Sequence, residues 1–383
     1  MLDPGDLYLD HNATSPLLPE VRSAMARALE LDLVNPSSPH RAGERSRRAL
    51  ESARASVAEL LGASGDELLF ASGATEANHL ALFGALAPRF AGSHVVVSAI
   101  EHSSVLDAAR LLEELGAGVA VVRPDRDGTV AVDAIVAALL PSTRLVALMA
   151  ANNETGVVQP VAQLGRLLHE RGISFHVDAA QAIGRVPFDV HALRATTIAL
   201  SAHKLGGPAG VGALFLRRGQ RLAPFLRGGR QERGLRGGTH NLLGILGFEA
   251  AAQAARRDGD APLGLVRDEF ERELLRRRPD AQIVGSGAAR LPNTSAVTFP
   301  GVDAARLLLE LSRRGLHASM GSACQSGSPE PSHVLRAMGR SAAEARATLR
   351  FSFGSGHRSA DARQAAERVA AAAAGLDHRT PGS

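Results

Sequence analysis

Residues 174–208, SFHVDAAQAIGRVPFDVHALRATTIALSAHKLGGP, contain two short strand-like runs that each end in polar side chains. The first run ends at Asp178 and the second at Ser201, with His203 and Lys204 directly after it. The second run is apolar along its whole length, which is typical of a strand in a parallel sheet covered on both faces. Ligands bind beyond the carboxyl ends of such strands, so these polar residues are candidate site residues.

Strand-like and helix-like stretches alternate through residues 66–216. Stretches with apolar residues at i, i+3 and i+4, which is typical of helices, lie between further strand-like runs. The strand-like runs are ELLFAS, HVVVSA, VAVVRP, RLVALMAAN, SFHVDAA, TIALSAHK and GALFLRR. This order predicts an α/β fold, in which a large domain has a mainly parallel central sheet. After the stretch DGDAPLG the pattern changes, and the strands TSAVTFP and ATLRFSFG among helices predict a smaller α+β domain.

The composition of the 383-residue chain is ordinary for a globular protein, with 45% hydrophobic and 21% charged residues. Arg is interleaved with Glu and Asp in the helical stretches, and aromatic residues make up only 3%. Both features argue against a nucleic-acid surface. No run of about 18 apolar residues and no basic leader sequence is found, so we expect no membrane span, no signal peptide and a cytoplasmic location.

Lys204 is the only lysine of the chain and Cys324 is the only cysteine. A coding bias toward Arg would explain the missing lysines by chance. Chemistry would explain the one that remains, because Lys can deprotonate and act as a nucleophile whereas Arg cannot. A lone cysteine is most often a small buried apolar residue. It excludes an intramolecular disulfide and a metal site made of several cysteines, and we expect no metal site.

Polar residues also follow other strand-like runs. The turn Gly73-Ala74-Thr75 opens a helix, where free N–H groups and the helix dipole favour an anion. Capping of that helix by Thr75 would explain the same residues, and Asp178 could likewise cap the helix after it. The remaining strand-end residues are His102, Asn152, Asn153, Glu154 and Gln181.

Together these residues fit a site for pyridoxal 5'-phosphate (PLP). That cofactor needs a Schiff-base lysine, an acid at its pyridine nitrogen and a phosphate cradle. Lys204 would be the lysine and Asp178 the acid. Gly73–Thr75, Ser201 and His203 would form the cradle.

The chain resembles the cysteine desulfurases of the NifS/IscS type, in the class-V aminotransferase group of fold-type I PLP enzymes. The resemblance runs from about residue 8 to about residue 354. It implies a large cofactor-binding domain over residues 14–257, and a small domain of residues 1–13 and 258–383 with a catalytic cysteine loop at about 319–332. The matching motifs are YLDHNATSPL, NPSSPH, SGATEANHLAL, EHSSVLDA, NNETGVVQP, HVDAAQAIGRVPFDV, SAHKLGGPAGVG, QERGLRGGTHN, MGSACQSGSPEPSHVLRAMG and LRFSFG.

The resemblance implies roles for residues around the cofactor ring. Lys204 resembles the Schiff-base lysine, which also moves the Cα proton of the substrate. Asp178 resembles the partner of the pyridine nitrogen. His102 resembles an imidazole stacked on the ring, with a role in proton transfer left open. Gln181 and Asn153 resemble hydrogen-bond partners of the ring oxygen and the substrate.

The resemblance also implies roles around the phosphate and the substrate carboxylate. Thr239 resembles a residue that reaches the phosphate of the other subunit, which implies a homodimer. Arg350 resembles the clamp for the substrate carboxylate, a task that suits its bidentate guanidinium. The residues that resemble phosphate ligands are Ala74, Thr75, Ser201 and His203.

Cys324 lies in MGSACQSGSPEPS, whose small residues and Gly are typical of a loop. In the family, a loop cysteine acts as a thiolate and attacks the sulfur of substrate cysteine. The resemblance therefore implies an L-cysteine desulfurase that forms alanine and a persulfide on Cys324. The sulfur would pass to a protein acceptor, such as an iron–sulfur scaffold, a tRNA-thiolation enzyme or another sulfur-modification protein.

Two alternatives remain open at this point. One is another class-V activity, such as a selenocysteine lyase or a lyase that needs no thiol. The other is a nucleic-acid-binding protein on an inactive scaffold, which would bind no cofactor.

Three positions depart from the family pattern, namely Ala209 in GPAG, Arg230 in GGRQE and Met320 before GSAC.

Overall fold

The computed structural model describes residue 3 and residues 5–257, 262–321 and 330–377. Strands and helices alternate along most of this range. The strands are β1 (Leu7–Tyr8), β2 (Leu68–Ala71), β3 (His94–Ser98), β4 (Gly118–Val122), β5 (Thr143–Ala147), β6 (Ser174–Asp178), β7 (Thr197–Ser201), β8 (Gly212–Leu216), β9 (Gln282–Ile283), β10 (Thr294–Thr298), β11 (Leu316–His317) and β12 (Thr348–Ser352).

Helices connect these strands and cover the sheets. The predicted helices of the α/β part are present as α3, α4, α5 and α6. The helices are α1 (Pro19–Leu29), α2 (Arg41–Glu59), α3 (Ala74–Leu86), α4 (Ser103–Glu114), α5 (Val132–Ala137), α6 (Val161–Glu170), α7 (Val190–Leu193), α8 (Leu242–Arg257), α9 (Leu263–Arg277), α10 (Ala304–Arg313), α11 (His333–Ala337), α12 (Ala342–Arg346) and α13 (Ser359–Asp377).

The large sheet has the strand order β2-β8-β7-β6-β5-β3-β4. The five consecutive strands β7, β6, β5, β3 and β4 are parallel to one another, which confirms the prediction of a mainly parallel sheet. Strand β8 is antiparallel to both β2 and β7. The connection from β7 to β8 covers only residues 202–211, and a parallel crossover needs about a dozen residues or more. The short connection therefore reverses the chain direction.

Both faces of the large sheet are covered by apolar side chains. Along β3, Val95 and Val97 pack into a cluster with α3 and α4, while Val96 packs into a cluster with α2 and α6. Successive side chains of a strand point to opposite faces, so a strand buried on both faces needs an uninterrupted apolar run. This explains why the run HVVVS does not alternate.

A smaller part of the structure combines both ends of the chain. Strand β10 pairs antiparallel with β9 and β12, and β1 pairs parallel with β11. Leu7 and Leu9 share an apolar cluster with Phe270, Phe351 and Phe353. The start of the chain therefore packs among residues more than 250 positions away. The domain boundaries stay a prediction.

In the described part of the chain, no helix has the length and apolar character needed to cross a membrane. Over the same residues, His, Cys, Asp and Glu side chains form no group of three or more that could hold a metal ion.

Candidate active site

A cavity of about 370 Å³ lies at the carboxyl ends of the parallel strands. Its walls come from residues directly after β2, β3, β5, β6 and β7, together with Asn12 near the N-terminus and Arg350 in β12. The parallel topology brings these strand ends to one edge of the sheet. The predicted site residues that line the cavity are Ala74, Thr75, His102, Asn153, Asp178, Gln181, Ser201, His203, Lys204 and Arg350.

Lys204 lies in a short 3-10 helix, Ala202–Leu205, that continues directly from β7. The helix ends at Gly206, whose φ of 75° is in the left-handed region that favours glycine. The Lys204 Nζ donates hydrogen bonds to the carbonyl oxygens of Asn12 at 2.6 Å and Ala13 at 2.7 Å. The turn therefore places the only lysine against the N-terminal wall of the cavity.

Asp178 is the last residue of β6 and is buried. Its Oδ2 accepts a hydrogen bond from Asn78 Nδ2 at 2.8 Å, and its Oδ1 accepts one from the backbone N–H of Ala180 at 3.0 Å. The two bonds hold the carboxylate in one orientation at the cavity wall.

His102 caps the N-terminus of α4. Its Nδ1 accepts a hydrogen bond from the backbone N–H of Ser104 at 3.1 Å and lies 2.8 Å from Ser104 Oγ. Burial lowers the pKa of His102, the nearby Lys204 lowers it further, and Asp178 opposes the shift. The imidazole is therefore neutral at neutral pH.

The N-terminus of α3 faces another part of the cavity. Gly73 is the N-cap of this 13-residue helix, and the cavity wall includes Ala74 and Thr75. Ser201 and His203 come from the end of β7, and His203 Nδ1 lies 2.7 Å from Thr14 Oγ1. Burial and the neighbouring charges of Lys204 and Arg185 lower the pKa of His203 to about 4. A helix N-terminus beside a hydroxyl and a neutral imidazole suits a phosphate.

Arg350 lies in β12 and is buried. Its Nη2 donates to Asp10 Oδ1 at 2.6 Å and its Nη1 donates to the carbonyl oxygen of Asn153 at 2.9 Å. Its buried Nε has no hydrogen-bond partner among the described residues. The Arg350 guanidinium lines the cavity, and its planar set of donors suits a carboxylate.

Among the predicted site residues that the structure describes, Thr239 stands apart, because it is exposed within the single chain and does not line the cavity. Cys324 lies outside the described residues, as does most of the predicted cysteine loop. The residues on either side, Gly321 and Glu330, line a cavity of about 170 Å³ that shares His102 and Asn153 with the larger one.

Comparison with known proteins gives the same picture over most of the chain. The family model described as aminotransferase class-V matches residues 7–364. The chain belongs to the class-V aminotransferase family. A cysteine desulfurase from Cereibacter sphaeroides is 45% identical over 349 residues, which cover 91% of this chain and 90% of the relative.

Solved structures resemble this chain as well. A NifS-like protein superposes with a TM-score of 0.89 at 31% identity, covering 97% of this chain and 100% of that one. SspA in complex with cysteine has a TM-score of 0.81 at 34% identity, covering 91% and 98%. These comparisons confirm the predicted family and fold type, and they confirm the prediction that the protein is an enzyme of the cysteine desulfurase type.

Sequence reasoning missed several polar residues of this class-V site. Asn12 Oδ1 accepts from Arg185 Nη1 at 3.0 Å, and its backbone oxygen accepts from Lys204. Asp10 and Asn78 contact Arg350 and Asp178. All lie inside the motifs YLDHNATSPL and SGATEANHLAL. Their presence in those motifs was a usable signal, but their partners are distant in the sequence.

Proposed function

We propose that this protein is a PLP-dependent L-cysteine desulfurase that forms L-alanine and a persulfide on Cys324. The observation that carries the proposal is the cavity at the strand ends, where Lys204, Asp178 and Arg350 share one set of walls. The name of the Cereibacter relative and the structure of SspA in complex with cysteine support cysteine as the substrate.

The residues present fit PLP. Lys204 offers the amine, Asp178 offers a carboxylate for the pyridine nitrogen, and Gln181 lines the same wall. The α3 N-terminus, Ser201 and His203 offer donors for the phosphate. The Arg350 guanidinium at the cavity wall offers donors for a substrate carboxylate. When bound, PLP supplies an electron sink that stabilises negative charge at the substrate Cα.

The side chains of this chain divide the remaining work. Arg350 binds the substrate carboxylate, and Asn153 helps to orient the substrate beside it. Lys204 Nζ takes the Cα proton, which Arg at the same position could not do because its guanidinium does not deprotonate. Asp178 would place its carboxylate, held by Asn78 and the backbone of Ala180, beside the pyridine nitrogen.

Cys324 completes the reaction. Its thiolate sulfur attacks the sulfur of the substrate, so an S–S bond forms as the substrate C–S bond breaks. The electron pair of that C–S bond stays with the carbon, which is then protonated to give alanine. No external oxidant is needed, because the sulfur is transferred with its six valence electrons. The assignment rests on the motif GSACQSG and on Cys324 being the only thiol.

We further propose a homodimer in the cytoplasm that passes the persulfide sulfur to a protein acceptor. The exposed position of Thr239 within one chain supports the dimer, because a second subunit could bring this residue to a phosphate site. The acceptor would be an iron–sulfur scaffold, a tRNA-thiolation enzyme or another sulfur-modification protein. Radiolabelled sulfur on Cys324 would identify it.

Purified enzyme incubated with L-cysteine tests the function. Wild type is expected to show the visible absorbance of PLP, to form alanine and to carry one extra sulfur on Cys324. Lys204→Arg keeps the positive charge but should lose both the absorbance and the alanine. Cys324→Ser should keep the absorbance and lose the persulfide. Sulfide release from Cys324→Ser at the wild-type rate would contradict the role of Cys324, and a preference for selenocysteine in competition would contradict the substrate.

A further inference from the structure

Asn78 lies beneath the cavity at the centre of a buried chain of hydrogen bonds. The side chain projects from α3 and is fully buried. Its Nδ2 lies 2.8 Å from Asp178 Oδ2 and 2.8 Å from Ser104 Oγ, and its Oδ1 lies 2.9 Å from His176 Nε2. One amide therefore contacts both β6, which ends at Asp178, and α4, whose N-cap is His102.

The chemistry of its neighbours fixes the orientation of the Asn78 amide. The Asp178 carboxylate accepts hydrogen bonds, so the amide NH2 group faces it. Burial lowers the pKa of His176 to about 4, against the opposing charge of Asp178, so this imidazole is neutral. Its Nε2–H donates to Asn78 Oδ1, and its Nδ1 accepts from the Thr197 hydroxyl at 2.9 Å.

The orientation of Asn78 in turn fixes the hydroxyl of Ser104. Asn78 Nδ2 donates one N–H to Asp178 Oδ2 and the other to Ser104 Oγ. Ser104 Oγ accepts that bond, so its own proton is free to point to His102 Nδ1 at 2.8 Å. The backbone N–H of Ser104 also donates to His102 Nδ1. Two donors meet one ring nitrogen, and that nitrogen must carry a lone pair.

We propose that Asn78 and Ser104 are positioning residues that hold the His102 imidazole in the tautomer with its proton on Nε2. His102 then presents a hydrogen-bond donor, and not a basic lone pair, to the cavity that it lines. The functional meaning rests on the proposed desulfurase reaction, in which His102 offers a hydrogen bond to the cavity but no lone pair that could take the first proton. Taking the first proton is left to Lys204.

The charge state of His102 also depends on the groups that face it. These groups are Asp178, Lys204, His333 and Asp107. Lys204 and His333 disfavour the imidazolium, while Asp178 and Asp107 favour it. Ser104 is the group among its neighbours whose replacement leaves all four of these charges in place, so it gives the cleanest test.

NMR of the holoenzyme labelled with ¹⁵N-histidine tests the proposal without turnover. The His102 signals are assigned by their loss in His102→Gln. In wild type at pH 7, long-range ¹H–¹⁵N correlations should show a lone pair on Nδ1 and a proton on Nε2. Ser104→Asp places a carboxylate beside Nδ1, should bring a proton to that nitrogen and should raise the pKa of His102 by about 1–3.

Two further variants separate this role from a general structural effect. Asn78→Ala should alter the His102 signals although it does not touch His102, because the Ser104 hydroxyl is then free to turn. Ser103→Ala removes the neighbouring hydroxyl on α4, which takes no part in this chain of hydrogen bonds, and should leave the signals unchanged. A proton on Nδ1 in wild type would overturn the proposal. So would equal His102 signals in Asn78→Ala and Ser103→Ala.

The tautomer and the reaction fail separately in this design. The NMR signals do not depend on cysteine or on alanine formation. An Nε2–H tautomer in a protein that forms no alanine would support the positioning role and overturn the desulfurase reaction. An Nδ1–H tautomer in an active desulfurase would do the reverse.

Discussion

Arg350 and Asp10 are 340 positions apart in the sequence, yet the guanidinium Nη2 and the carboxylate Oδ1 are joined by a hydrogen bond of 2.6 Å. The bond ties β12 to the segment after β1. It also orients Arg350 so that Nη1 reaches the Asn153 carbonyl and Nε has no partner among the described residues. Asp10 thereby holds the Arg350 guanidinium at the cavity wall, where the proposed substrate carboxylate would bind.

Arg350→Lys is expected to raise the KM for cysteine more than it lowers kcat. Lysine keeps the charge but loses the planar fork that binds a carboxylate with two bonds. A hydrogen bond to a charged group contributes about 1.5–3 kcal/mol, so kcat/KM should fall about 10- to 150-fold. Steady-state rates of alanine formation at several cysteine concentrations give KM and kcat. Arg346→Lys, on the exposed side of α12, is the control, and an equal KM in both variants would contradict the assignment.

Glu232→Gln should destabilise the fold and change its acid sensitivity. Arg54 donates to both carboxylate oxygens at 2.6 and 2.9 Å, and His240 Nε2 lies 2.6 Å from Oε1. Burial alone would raise the pKa of Glu232, but the hydrogen bonds from His240 and Arg54 and the charge of Arg54 lower it to about 2.

The sign of the pH effect follows from that lowered pKa. The folded pKa lies below the ordinary value of 4.5, so the stabilisation of about 3 kcal/mol is complete above pH 4.5 and is lost as the pH falls toward 2. Glu232→Gln removes this dependence and leaves Arg54 with Glu51 as its remaining carboxylate partner, so the cost at pH 7 should lie below the roughly 3–5 kcal/mol of an uncompensated buried charge. Urea unfolding at several pH values measures both effects. Glu114→Gln, at the exposed end of α4, is the control, and an acid profile like wild type in Glu232→Gln would refute the prediction.

Gly321→Ala is expected to slow persulfide formation on Cys324. A Cβ at position 321 would overlap the Glu154 carboxyl. That carboxyl accepts a hydrogen bond from Ser332 Oγ at 2.5 Å and is buried, so it has little freedom to move. Overpacking of this kind costs about 1–3 kcal/mol of folded-state stability. We therefore expect position 321, three residues before Cys324, to shift away from Glu154. Persulfide trapped by an alkylating reagent and weighed by mass spectrometry gives the rate.

Two variants control for the effect of the added methyl group. Gly264→Ala in α9 would meet its nearest neighbour, Pro292 Cβ, at an ordinary 3.8 Å and should react like wild type. Shortening the partner in Gly321→Ala/Glu154→Asp should restore part of the rate. A Gly321→Ala enzyme as fast as Gly264→Ala would show that this contact does not affect the reaction.

Mixing two inactive variants tests the proposed contribution of Thr239 across a dimer. Lys204→Ala lacks the side-chain amine that would hold the cofactor. Thr239→Val lacks the hydroxyl that would reach the phosphate site of the other subunit. In a mixed dimer, the subunit with Thr239→Val keeps Lys204 and receives Thr239 from its partner, so one site is complete. Activity at limiting PLP should exceed that of either variant alone. Mixtures no more active than their parts would argue against the shared site.

The local sequence predicted most of the large sheet. The runs HVVVSA and TIALSAHK were expected as strands and are β3 and β7, because uninterrupted apolar β-branched residues are strand signals within a few positions. The direction of β8 could not be predicted from GALFLRR alone. It depends on the length of the connection from β7 and on the pairing of β8 with β2.

Pairs that complete the candidate site were beyond local reasoning. Asp178 was predicted from its place at a strand end, but its partner Asn78 lies 100 positions away on a helix. Lys204 was predicted as the only lysine, but not its bonds to the backbone of Asn12 and Ala13. Such pairs form only when packed helices and strands bring distant segments together.

The sequence by itself determined the family, the single lysine and single cysteine, and the polar residues at the strand ends, because each is written in a short stretch of chain. The tertiary structure alone decided which side chains share hydrogen bonds. Asp10 orients Arg350, and Asn78 links Asp178 to Ser104. These bonds depend on the positions of whole helices and strands in the packed core, which no local preference specifies.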